Sequence, residues 1–151
     1  MKLAYVVAAL TLIASPLIAD DIKISITGKT ERAGFDGLPI CELQYDITNG
    51  STGTLYYLTV SIDAWDDRGE KLDELLSASL NNGVSGRTAL GVGSTASFKM
   101  DMGFKVRCQY LAKVGNIEVK PEYCNIRMLP ENADCQEMVQ VSSKITDLIV
   151  E

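Results

Sequence analysis

Along most of the chain, apolar and polar residues alternate one for one. In "CELQYDITN", Cys41, Leu43, Tyr45 and Ile47 point one way and Glu42, Gln44 and Asp46 the other. In "YLTVSIDAW" the apolar set is Leu58, Val60, Ile62 and Ala64, opposite Thr59, Ser61 and Asp63. "ASFKMDM" aligns Ala96, Phe98, Met100 and Met102, and "FKVRCQYLA" aligns Phe104, Val106, Cys108 and Tyr110. A period of two places successive side chains on opposite faces, so each stretch predicts a half-buried strand of an antiparallel sheet. "DIKISIT" and "GNIEVKP" repeat the pattern. Turn-forming residues separate the runs: "NGSTG" at 49–53, "DDRG" at 66–69, "GVGS" at 91–94 and "GN" at 115–116. Short strands punctuated in this way predict an all-β chain built as an antiparallel β-sandwich. "LDELLSASL", 72–80, fits helical spacing as well as a strand, and both readings stay open.

The first residues break the pattern. "MKLAYVVAALTLIASPLIADD" has one Lys, an apolar run from Leu3 that stops at Pro16, and Ala19 before two acids. The run is too short for a membrane span and reads as a signal peptide, 1–19, cleaved after Ala19. A single domain, 20–151, would remain, with no apolar segment long enough for stable membrane insertion. Its loss takes one Lys and no acid, leaving 13 basic against 20 acidic residues and a net charge of −7. An acidic surface repels the phosphates of nucleic acids and of anionic lipid, so neither is an expected partner.

Four cysteines follow the signal: Cys41, Cys108, Cys124 and Cys135. An even count behind an export signal predicts two disulfides and a periplasmic or secreted location. With no His and no CxxC spacing, a metal site is not expected. Cys41 and Cys108 both fall on inward faces, which favours a bridge between two sheets and leaves Cys124 to pair with Cys135. The competing pairing joins Cys108 to Cys124 across a hairpin turning near Asn116. In the chain-entropy model the long bridge stabilises by about 4 kcal/mol and the short one by about 3 kcal/mol.

From Ile40 to Met102 the chain resembles the FxLYD-type immunoglobulin-like domains of small bacterial extracytoplasmic proteins. The residues that carry the resemblance are "YDITNGSTGTLYYLTVSIDAWDDRGEKL" and "GVGSTASFKM". "IDAWD" stands where Phe-x-Leu-Tyr-Asp is expected, so only Asp66 is identical within the signature. The resemblance implies an immunoglobulin-like or fibronectin III-like sandwich, usually without catalysis; the cysteine-bearing C-terminal third lies beyond it.

Chemistry is sparse. Without His, the Ser-His-Asp and Cys-His nucleophile systems are ruled out, and bridged cysteines cannot act as nucleophiles. The acid-rich "DAWDDRGE" lacks the Gly and Glu positions of an EF-hand and reads as a hairpin turn. "SFK" at 97–99 and "SSK" at 142–144 offer Ser–Lys pairs, and "TGKT" at 27–30 resembles the end of a phosphate loop without its earlier Gly. "NGS" at 49–51 fits a glycosylation sequon, but Asn-Gly is also turn chemistry. No cofactor is implied. Tyr57 and Trp65, on the face opposite the core set, are the candidate interface, unless the segment around Ile145 and Leu148 packs over Trp65. The expected function is non-catalytic binding of another protein, the alternative a small ligand or carbohydrate stacked on Trp65.

Overall fold

The computed structural model describes residues 21–80, 89–99, 103–119, 124–127 and 135–151. The expected signal peptide, Met100 and Met102 lie outside them. The described chain is all-β, with ten strands: β1 (Ile22–Ala33), β2 (Pro39–Asn49), β3 (Thr54–Tyr57), β4 (Thr59–Asp66), β5 (Lys71–Ser79), β6 (Thr95–Lys99), β7 (Leu111–Val119), β8 (Asn125–Arg127), β9 (Val139–Ser143) and β10 (Ile149–Val150). A short α-helix, α1 (Cys135–Met138), precedes β9. The strands form two four-stranded sheets, β6-β2-β1-β9 and β10-β7-β4-β5, and a ribbon, β3-β8.

Alternation does what it predicted in β2 and β4. Cys41, Leu43, Tyr45 and Ile47 of the first sheet and Val60, Ile62 and Ala64 of the second are buried. They join Ile22, Ile24 and Ile26 of β1, Val114 of β7, Phe104 and Leu148 in one core. "LDELLSASL" is strand, paired antiparallel with β4. Between Ile62↔Leu76 and Ala64↔Leu72, β5 spends four residues against two on β4. The two extra residues bulge out of the ladder at that point.

Three expectations need correcting. The sheets are not purely antiparallel: β9 pairs parallel with β1, and β10 parallel with β7. A parallel pair needs a long crossover, and both C-terminal strands are far from their partners in sequence. "FKVRCQYLA" is not a strand. Phe104 forms an isolated bridge with Cys41, Cys108–Tyr110 is a 3₁₀ turn, and pairing resumes only at Leu111. The cause is covalent. Phe104 and Cys108 both meet Cys41, whereas four extended residues would hold them roughly 13 Å apart. Finally, "GN" at 115–116 is no turn but a bulge inside β7, where Asn116 takes φ 45° and the β4–β7 register shifts.

The disulfides are Cys41–Cys108 and Cys124–Cys135. Cys108 sits in the turn that feeds β7, so the long bridge joins a strand of one sheet to the approach of the other.

The sequon residue Asn49 is fully buried. Its Nδ2 donates to the carbonyls of Gly53 and Leu90, both at 2.8 Å. Its Oδ1 accepts from the Ser51 N–H at 3.1 Å and the Ser51 hydroxyl at 2.6 Å. Both donors and the acceptor oxygen are thus committed, and no amide nitrogen is left for a glycan in the folded chain. Asn49→Ala would leave the Gly53 carbonyl with only the Ser51 hydroxyl and the Leu90 carbonyl with only the Leu55 N–H, would strip the buried Ser51 N–H of its acceptor, and is expected to destabilise the domain by about 2 kcal/mol. Urea unfolding checks this: the midpoint should fall with an unchanged slope, and a loss under about 1 kcal/mol would deny the network any net role.

Candidate functional site

The outward side of β4 carries Thr59, Ser61, Asp63 and Trp65, all half-buried, opposite the buried Val60, Ile62 and Ala64. Pairing places Lys71 of β5 on one side of Trp65 and Lys113 of β7 on the other. The Lys113 ammonium lies 4.6 Å from the indole centroid and also contacts the Glu151 carboxylate at 2.6 Å. A Cβ at Gly115 would fall 3.4 Å from Trp65 Cζ3 and 3.1 Å from the Glu151 carbonyl oxygen. Glycine there gives the ring and the last residue their room, an arrangement in which an aromatic covers a bare stretch of neighbouring strand. Beside this row, Asp63 Oδ2 accepts from Lys71 at 2.7 Å and from the Asn116 amide at 3.0 Å. Those two hydrogen bonds, Lys71 first, hold the Asp63 carboxyl below its ordinary value.

The structure does not unite Tyr57 with Trp65. The run read as one strand is broken at the buried Leu58, and Tyr57 ends β3, facing Asn125 in the two-stranded ribbon. Nor does the segment around Ile145 and Leu148 lie over the indole. Leu148 is buried in the core and Ile145 packs against it.

The acid-rich stretch closes the β4–β5 hairpin. Asp66 N–H donates to the Glu70 carbonyl at 3.0 Å, and Gly69, at φ +80°, donates back to the Asp66 carbonyl at 3.1 Å. The Asp66 carboxylate, itself buried, accepts from the N–H groups of Arg68 and Glu70, both at 2.9 Å. Arg68 adds Nε at 3.0 Å and Nη2 at 2.8 Å. The Arg68 guanidinium and the Glu70 N–H hold its carboxyl below the ordinary value. Asp63 and Asp66 are thus both committed to hydrogen bonds within the sheet and its turn.

The other motifs are also occupied by structure. Ser97 donates to Asp46 at 2.7 Å, while Lys99 pairs with Glu42 at 3.2 Å. Ser142 contacts the Ser25 hydroxyl at 3.3 Å, while Lys144 reaches Asp46 at 3.7 Å. "TGKT" runs within β1, and Lys29 crosses to the Leu111 carbonyl at 3.4 Å and to Asp147 at 3.0 Å. Among the described residues no three His, Cys, Asp or Glu side chains gather into a metal-binding cluster.

Sequence reasoning missed the end of the β1–β2 hairpin. Phe35 is 111% exposed and Leu38 55% exposed. Gly34 N–H donates to the Leu38 carbonyl at 2.8 Å, and Gly37, at φ +76°, donates to the Gly34 carbonyl at 3.1 Å. This is the same three-residue loop with a glycine bulge that closes β4–β5. A notch of about 310 Å³ lies beside it, lined by residues that include Arg32, Pro39 and Arg107. The signal was present in "GFDGLP": a Phe between turn residues has no core to enter. Comparison with protein-family models, curated proteins and solved structures finds no match to this chain.

The Asp66 turn yields a pH test. A carboxyl whose native pKa is depressed stabilises the fold above its unfolded-state pKa, about 4, and loses that contribution as pH falls through the native value. The stability gap between wild type and Asp66→Asn should therefore hold from pH 7 to about pH 5 and close in stronger acid. Urea titrations across pH measure it; a gap that ignores pH would show that the turn does not use the ionised form.

Proposed function

We propose that the mature chain is an extracytoplasmic, non-catalytic β-sandwich module of the immunoglobulin-like or fibronectin III-like kind, periplasmic or secreted, that binds another protein. The two disulfides support the compartment, since such bonds persist where the environment is oxidising. The observation that carries the binding role is the pair Phe35 and Leu38, held in solvent at the end of a hairpin whose loop is fixed by its own backbone. Large apolar side chains on a rigid loop suit an anchor that fills a partner's pocket, because little conformational entropy is lost on docking.

The Trp65 face is the second reading, supported by the half-buried indole between Lys71 and Lys113. Carbohydrate stacking on Trp65 is the weaker use of that face, because a sugar would have to displace the Lys113 ammonium from the ring.

Cross-linking of the tagged chain in its extracytoplasmic fraction, followed by binding measurements on the captured protein, tests these readings. The Phe35→Ser/Leu38→Ser double variant should melt like wild type, yet bind more weakly by about 2 kcal/mol or more, roughly thirtyfold. Unchanged binding would remove the hairpin end from the interface. Loss confined to a folded Trp65→Ala variant would move the interface to the sheet face.

A further inference from the structure

The edge of β7 that faces away from β4 is closed in two pieces. At one end β10 pairs in parallel with Lys113 and Val114, and the Glu151 N–H donates to the Val114 carbonyl at 3.1 Å. At the other end a side chain takes the place of a strand. Gln136 Oε1 accepts from the Val119 N–H at 2.7 Å, and its Nε2 donates to the Ile117 carbonyl at 3.0 Å. In a parallel ladder, one residue bonds the carbonyl before and the N–H after its opposite number. The Gln136 amide therefore stands in for a parallel-strand residue opposite Glu118. Unpaired edges invite further strands, and among the described residues this one is covered by an amide rather than by backbone.

The residue before Gln136 is covalently held. Cys135 is bridged to Cys124, directly before β8, so α1 is fastened to the β3–β8 ribbon. Both of these cysteines are half-buried, whereas Cys41 of the other bridge is fully enclosed and offers only Cys108 to an attacking thiol.

We propose that the Cys124–Cys135 disulfide is a redox lock on the β7 edge. Oxidised, it holds the Gln136 amide on Ile117 and Val119. Reduced, it frees the amide and uncovers that stretch of the edge. A dithiol reductant supplies the two electrons. One of its thiolates attacks a bridge sulfur, the other cysteine leaves as thiolate and takes a proton, and the reductant's second thiol displaces the mixed disulfide. Two cysteine thiols and one oxidised reductant result.

Alkylation mapping combined with amide hydrogen exchange tests the lock in the full mature chain under graded dithiol. Cys124 and Cys135 should become alkylated before Cys41 and Cys108. Exchange at the Val119 amide should then accelerate at least about tenfold, while Ile24 and Val60, inside their sheets, stay protected. Gln136→Ala with both bridges intact should reproduce the Val119 change, which guards against a reduced chain that merely unfolds. The proposal falls if Val119 keeps its protection after reduction, if all amides accelerate together, or if the Cys41–Cys108 bridge opens first.

Discussion

Three stretches of chain are fastened at Cys41. Its backbone lies in the β1–β2 ladder opposite Glu31, and it exchanges hydrogen bonds of 2.7 and 2.9 Å with Phe104. Its sulfur is bonded to Cys108, and the whole residue is enclosed. From that junction the chain passes directly through the 3₁₀ turn into β7, so the bridge sets where the second sheet stands against the first. A cross-link closing so long a loop is worth about 4 kcal/mol in the chain-entropy model. Domains of this kind have net stabilities of about 5–15 kcal/mol, so the junction is a large share of the balance.

The C-terminal segment completes what the junction begins. It contributes β9 to one sheet and β10 to the other, and between them Leu148 enters the core. Lys29 of β1 reaches across to the Leu111 carbonyl and to Asp147 of this segment, whose carboxyl it holds below its ordinary value. Strands from both ends and the middle of the described chain are thereby tied at one side. The two three-residue loops, at Gly34–Leu38 and Asp66–Glu70, share one backbone design but differ in cargo. One spends its side chains on holding itself with a buried carboxylate; the other puts Phe35 and Leu38 into solvent.

Polar residues that might have signalled chemistry act as structural acceptors and donors. Asp63 joins β4 to β5 and β7, Asp66 closes a turn, and Asp46 gathers Ser97 of β6 and Lys144, just past the end of β9. Asn49 fastens two loops from inside the core. The acid-rich segment is thus explained by the geometry of the sheet it ends.

How far the residues alone determined this protein follows from the range of each interaction. Alternation in β2 and β4 fixed strand type and the buried face, because side-chain direction is a local property of extended backbone. The turn at 66–69 was legible for the same reason, as Asp and Gly act on their own backbone. The cysteine pairing could be weighed from inward positions, yet its consequence could not: only closure onto Cys41 shows why 104–110 leaves the strand. Gly115 and Asn116 carry turn chemistry that serves equally for a bulge, and the register of β4 against β7 decides between them. The parallel placement of β9 and β10, the separation of Tyr57 from Trp65, and the Gln136 amide on the β7 edge depend on partners remote in sequence. Tertiary structure alone decided those, since local pattern tells a strand which way its side chains point but not which strand will lie beside it.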